Sequence, residues 1–324
     1  MRSKLYSFLF LLIPVILFAQ SSKDRTIYLD SLFKETTLED HKYYMIVKDY
    51  ERKKSEYFIT RYYFSGQIEC KGNSESKDSF RKKGEIISYY ENEIIKSTVF
   101  YNDNNPVGKY SYWYENGNKK LEGEFILSKE NEETEKSKLK VLNFWDKNNI
   151  QTVTNGNGDF EDDDNFEGMG SFLVSVSNGK VKNGFKDGIW IGKNSKRNFT
   201  FTENYENGKF ISGESIDSNN EKHFYTTIQK MPDYKYGINN FRSYVMRNFR
   251  VPEGPGNSGK IFATFTIDEF GKLNNPTIVR GIGFRADNEA IRVLSKSLDW
   301  IPAECRGIKV QCLFALPISV QSPQ

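Results

Sequence analysis

The sequence predicts a mainly β chain: an array of antiparallel hairpins forming an extended sheet, followed by a small α+β domain. Three observations predict it. Aromatic residues are dense, with 19 Tyr and 25 Phe beside 24 Gly. Before Tyr236 the aromatic runs are short and are cut by Asn-Gly and Asp-Gly pairs, the residues that tolerate the positive φ of tight hairpin turns. After Met231-Pro232 the periodicity changes to helical and then alternates with strands.

The chain opens on Arg2 and Lys4, followed by an apolar run from Leu5 to Ala19. A basic start, an apolar stretch and a small residue at Ala19 predict a signal peptide over 1–19, cleaved before Gln20. The run is short of the roughly 20 apolar residues that cross a bilayer, and polar Gln20-Ser21-Ser22-Lys23-Asp24 follows it. The expected location is periplasmic or secreted, with no stable membrane insertion after cleavage. The formal charge of +3 includes +2 from Arg2 and Lys4, so no field for nucleic acid remains. The chain has 3 Cys, too few for a disulfide scaffold. Cys305 and Cys312 either pair with each other or, with Cys70, stay as thiols.

Residues 20–59 lead into the array and carry no clear pattern. The array is expected over 60–215. Its units start at Tyr62-Tyr63-Phe64, at Gly84-Glu85-Ile86 and at Gly108-Lys109-Tyr110, and two more centre on Asn183-Gly184 and Asn207-Gly208. A lone hairpin is marginal in water, and stacked units form one sheet. Tyr110, Tyr112 and Tyr114 alternate with Ser111 and Trp113, so one set faces away from a core that covers one side only. That set is either a protein-binding face or ordinary sheet surface. A polar stretch at 128–140 is expected to be a solvated loop. Asn155 to Asn165 is expected to be a turn and an acidic loop. Calcium, which takes about six to eight oxygen ligands, is the alternative occupant near Asp162.

A linker is expected over 216–234 and the last domain over 235–320. Phe241, Tyr244, Val245 and Phe249 share a helical face, with Asn240 as N-cap and Pro252 beyond the end. Ile261, Ala263, Phe265 and Ile267 share one face of a strand, Asp268 to Lys272 turns, and Leu273 to Arg280 is a second strand. Asp287 to Ser297 carries a helical face of Ala290, Ile291, Leu294 and Leu298, and Ile308 to Leu316 is the last strand. Helix, strand, strand, helix, strand implies a three-stranded sheet with helices on one face.

Two resemblances follow from particular residues. Gly108, Tyr110, Trp113, Asn116-Gly117 and Glu122-Gly123, with Gly188 and Trp190 in another unit, resemble the MORN-type repeats of secreted Bacteroidetes proteins. Gly259-Lys260-Ile261, Asp268-Glu269-Phe270-Gly271-Lys272, Trp300-Ile301-Pro302-Ala303 and Pro317-Ile318-Ser319-Val320 together resemble the TonB C-terminal domain. The second resemblance implies recognition of a peptide from an outer-membrane transporter by strand pairing. By that analogy the partner-binding edge is Lys309, Val310, Gln311, Cys312, Leu313, Phe314, Ala315 and Leu316. The same edge suits a second copy of the chain, as a homodimer, or the chain's own tail. The apolar run, read as cleavable, and only 9 Pro leave no membrane-anchored spacer for force transmission.

No enzyme is expected, and no cofactor. The 2 His, His41 and His223, have neither a second His nor a Cys at ligand spacing. No Gly-x-Ser-x-Gly elbow and no phosphate-gripping loop is present. Cys305 and Cys312 are not spaced as a redox pair. Glu122 and Glu124 share a strand face, but the sequence shows no cleft around them. Two functions follow. One is a cell-envelope module that binds a peptide or protein at its C-terminal domain. The other is a structural scaffold or self-association module.

Overall fold

A computed structural model describes residues 23–131, 134–163, 175–251, 258–297 and 300–320. The expected signal peptide, the end of the acidic stretch at Asp164-Asn165, Pro252 and Leu298 lie outside the described residues. Among the described residues the chain forms a large antiparallel sheet of sixteen strands in sequential order, followed by a region with two helices and a few strands. It divides into two compact units, Met1–Lys120 with Glu124–Lys138, and Leu121–Gly123 with Leu139–Gln324.

The first unit holds β1 (Arg25–Leu29), β2 (Tyr43–Val47), β3 (Tyr57–Tyr63), β4 (Ile68–Ser74), β5 (Lys82–Tyr89), β6 (Ile95–Asn102) and β7 (Asn105–Trp113). The unassigned N-terminal segment therefore supplies two complete strands and opens a third. It also supplies a core: Ile27, Leu29, Met45, Val47, Tyr57 and Ile59 pack together. Alternation sends these residues to one face. Tyr110 and Tyr112 lie on the buried face, while Trp113 is half-buried. Of the tyrosine set, Tyr110 and Tyr112 face inward, and Tyr114, just past the end of β7, is half-buried.

Next come β8 (Lys119–Asn131) and β9 (Thr134–Trp145). The expected loop over 128–140 is thus strand almost throughout. Ladder hydrogen bonds need only backbone groups, and polar side chains are compatible with them.

The second unit continues with β10 (Gln151–Thr154), β11 (Asn157–Asp162), β12 (Val176–Lys182), β13 (Phe185–Asn194), β14 (Phe199–Glu206), β15 (Lys209–Ile216) and β16 (Lys222–Tyr225). The expected acidic loop is a hairpin through Asp162, turned by Asn155 and Gly156 at φ 49° and 78°. Asn183-Gly184 and Asn207-Gly208 turn two further hairpins with both φ positive. In the first unit three of the turns are longer. Tyr63 to Gln67, Tyr90 to Ile94 and Tyr114 to Asn118 each close with paired backbone hydrogen bonds, with Gly66, Glu93 and Gly117 at positive φ.

One packing device recurs along β12 to β16. Gly179 faces Trp190, Gly192 faces Phe201, and Gly213 faces Tyr225 across the ladder. A Cβ on any of these glycines would lie 2.2–2.5 Å from the facing ring. The missing side chain lets each ring lie across the neighbouring strand.

The remaining elements are β17 (Gln229–Lys230), β18 (Asp233–Tyr234), α1 (Ile238–Asn248), β19 (Gly259–Ile267), β20 (Leu273–Arg280), α2 (Phe284–Ser295), β21 (Trp300–Ile301), β22 (Ala303–Cys305), β23 (Ile308–Val310) and β24 (Cys312–Val320). The last residue of β15 and all of β16, β17 and β18 occupy the expected linker. The main sheet here is β20-β19-β24. Phe241 and Val245 of α1, and Ala286, Ala290, Val293 and Leu294 of α2, bury against Ile261, Ala263, Phe265 and Ile267 of β19. Both helices start earlier than the sequence predicts. Gly237, at φ 85°, caps α1 without a side-chain hydrogen bond, so Asn240 sits within the first turn. Gly283 does the same for α2, and Asp287 Oδ1 accepts the Ile282 N–H at 3.0 Å. The last expected strand is two: Gln311 separates β23, which pairs with β22, from β24, which pairs with β19.

Candidate partner-binding edge

The eight residues singled out from the sequence fall on two neighbouring strands. Lys309 and Val310 are on β23, the last strand of the order β17-β22-β23. Leu313 to Leu316 are on β24, the last strand of β20-β19-β24. Gln311 lies between them, and Cys312 begins β24.

The register of β24 divides its side chains into two rows. Cys312, Leu316, Ile318 and Val320 point inward and are buried. Phe314 is half-buried with that row and packs on Phe265 and Trp300, with ring centroids 5.5 and 5.3 Å away. Leu313, Ala315, Pro317 and Ser319 are exposed, and Leu313 is 58% accessible. Their register partners on β19 are Thr266, Thr264, Phe262 and Lys260. Phe262 is also exposed, and the Arg280 guanidinium stands 5.6 Å from its ring centre. The face turned away from the helices is thus partly apolar. Pro317, with no N–H to donate, suits a strand at a sheet edge.

The turn before this edge is firmly held. Asp268 Oδ1 accepts the backbone N–H groups of Phe270 and Lys272 at 3.0 and 2.8 Å. Those contacts, led by the Lys272 N–H, hold its carboxyl below the usual range against the smaller opposing effect of burial. On α2, hydrogen bonds from Arg292 lower the Glu289 carboxyl.

All three cysteines are free and buried, so the structure has no Cys305–Cys312 bridge. Burial raises each thiol, Cys70 most strongly. A raised thiol is a poor nucleophile. Asp162, in the acidic stretch weighed for calcium, pairs with Lys186 at 2.8 Å.

The sequence did not single out a group that the fold assembles. Asp217, Glu221 and His223 bring one ligand-type atom each within 4.8 Å of one another at the β15–β16 turn. The local signal was Asp-x-x-x-Glu-x-His. Asp217 is already engaged there: Oδ1 accepts the Asn219 and Glu221 N–H groups, and Oδ2 lies 3.0 Å from His223 Nε2. The cluster has the form of a closed turn.

No helix among the described residues is long and apolar enough to cross a membrane. Comparison with family models, with curated proteins and with solved structures returns no match to this chain.

Proposed function

We propose that the chain is a non-enzymatic interaction module of the cell envelope, periplasmic or secreted, whose C-terminal region binds a peptide or protein by strand pairing along β24. The observation that carries this reading is the place of β24 at the end of the order β20-β19-β24, with its own Leu313 and Ala315 exposed. An open edge offers unpaired backbone donors and acceptors, and alternate side chains add selectivity. The MORN-type vocabulary of the array and the TonB-like motifs of the C-terminal region support the same assignment. An outer-membrane protein or peptide is the proposed partner.

The test compares the mature chain with a Leu313→Glu, Ala315→Glu variant, since charge on an edge strand opposes pairing. Both are used to capture partners from an envelope fraction, with mass spectrometry as readout. An outer-membrane protein held by the parent chain and lost by the variant is the expected result. Equal capture by both, or recovery of the bait alone, counts against the proposal. Concentration-dependent dimers of the parent chain that the variant fails to form shift the assignment to the scaffold and self-association reading.

A further inference from the structure

Strand β14 alternates strictly, and Phe199, Phe201, Glu203 and Tyr205 all point inward. Glu203 is therefore a carboxylate in an aromatic row, only 1% exposed. A buried carboxylate needs dedicated partners. Tyr205 Oη donates to Oε2 at 2.8 Å, and Tyr225 Oη donates to Oε1 at 2.9 Å. Tyr225 stands on β16, two strands away, and reaches Glu203 across Gly213, which is the register partner of both.

The last partner arrives 103 residues later in the chain. Arg306 Nε donates to Glu203 Oε1 at 2.8 Å. Its Nη1 donates to Ser175 Oγ at 3.1 Å, and its Cζ lies 3.9 Å from the Phe201 ring centre. Arg306 is 5% exposed. It sits with Gly307 at the tip of the β22–β23 hairpin, at φ 52° and 77°. The tip backbone is gripped as well: Ser215 Oγ donates to the Arg306 carbonyl at 2.7 Å, and the Arg306 N–H donates to the Ile228 carbonyl at 2.7 Å. Behind the tip, Cys305, Ile308 and Val310 pack on Phe199 and Phe201. Burial works against the Arg306 charge, and Glu203 outweighs it, so the guanidinium is held more firmly protonated than usual.

A carboxylate, an aromatic face and a hydroxyl set around one side chain match a planar guanidinium and not an ammonium. We propose that Glu203, Tyr205, Tyr225, Phe201 and Ser175 form a guanidinium receptor at the end of the array. Its occupant is Arg306 of the same chain. The contact is a latch that seats the β22–β23 hairpin, and through it the start of β24, on the last repeats. This goes beyond strand pairing at β24, and its test involves no partner, so the two proposals fail separately.

The test is thermal unfolding of full-length Arg306→Ala with N-ethylguanidinium or ethylammonium added at millimolar concentration. The expected Tm loss is roughly 10 °C, from breaking one side of a buried ion pair in a domain of this size. Ethylguanidinium restores part of that loss, ethylammonium does not, and the Arg306→Ala, Glu203→Gln double variant is not rescued. Absence of restoration, or equal restoration by both cations, overturns the proposal. Arg306→Lys keeps the charge and is the second variant should Arg306→Ala fail to fold. It is expected to lose stability, because an ammonium cannot reach Glu203 and Ser175 while lying flat on Phe201. A lysine variant as stable as the parent overturns the proposal as well.

Discussion

Replacing Gly213 by alanine tests whether the glycines of the array are saddles for aromatic rings. The new Cβ would lie 2.2 Å from Tyr225 Cζ and 2.5 Å from its hydroxyl. Ordinary contact begins near 3.4 Å, so the ring must retreat by about 1.2 Å. That retreat carries the hydroxyl away from Glu203, which it meets at 2.9 Å. A hydrogen bond to a charged group contributes roughly 1.5–3 kcal/mol. Crowding adds about 1–3 kcal/mol. Alanine returns about 0.4–1 kcal/mol by restricting the unfolded chain. The sum is a destabilisation of roughly 2–5 kcal/mol, or a Tm fall of roughly 4–20 °C at about 2–4 °C per kcal/mol. Urea and thermal unfolding of the full chain measure it. Backbone strain adds nothing to this loss, because Gly213 is not at positive φ. In a Tyr225→Ala background Gly213→Ala should become close to neutral, because the ring it strikes is gone. An unchanged Tm for Gly213→Ala, or the same loss with and without Tyr225, refutes the saddle.

Phe265 is fully buried between α1, Trp300 and Phe314, so Phe265→Ala should cost about 3–5 kcal/mol in urea unfolding. The Glu289 carboxyl is depressed, chiefly by Arg292, so its contribution is present above its unfolded value of 4.5 and lost as pH falls through the lower folded value. The stability gap between the parent and Glu289→Gln should therefore be constant above about pH 5.5 and close below that folded value, as read by pH-resolved unfolding. Cys70, Cys305 and Cys312 are buried with raised thiols, so a thiol reagent should label none in the native chain and all in denaturant. Rapid native labelling would contradict that packing.

Much of the C-terminal core was legible in the sequence. Ile261, Ala263, Phe265 and Ile267 alternate without interruption, and a strand with one apolar face has one way to bury it. Helix starts were less legible. Gly237 and Gly283 enter the helices through backbone freedom, a signal weaker than the side chain of Asn240 or Asp287. Polarity misled at 128–140 and at 155–163, because a ladder closes on backbone groups whatever the side chains. The candidate edge was placed by resemblance, and the fold divided it at Gln311 between two small sheets.

The sequence by itself determined the hairpins around Asn116-Gly117, Asn183-Gly184 and Asn207-Gly208, since Asn-Gly pairs and period-two alternation act over a few residues. It determined the run from α1 through β19 and β20 to α2 for the same reason, while β21, β22 and the break at Gln311 came only with the fold. Tertiary structure decided which rows meet. Gly213 is an unremarkable glycine until Glu203 and Tyr225 flank it, and Glu203 looks like one more surface carboxylate until its row is counted with Phe199 and Phe201. Arg306 lies 103 residues from its partner, and no local pattern links them. The burial that makes their pairing obligatory exists only once the chain has folded.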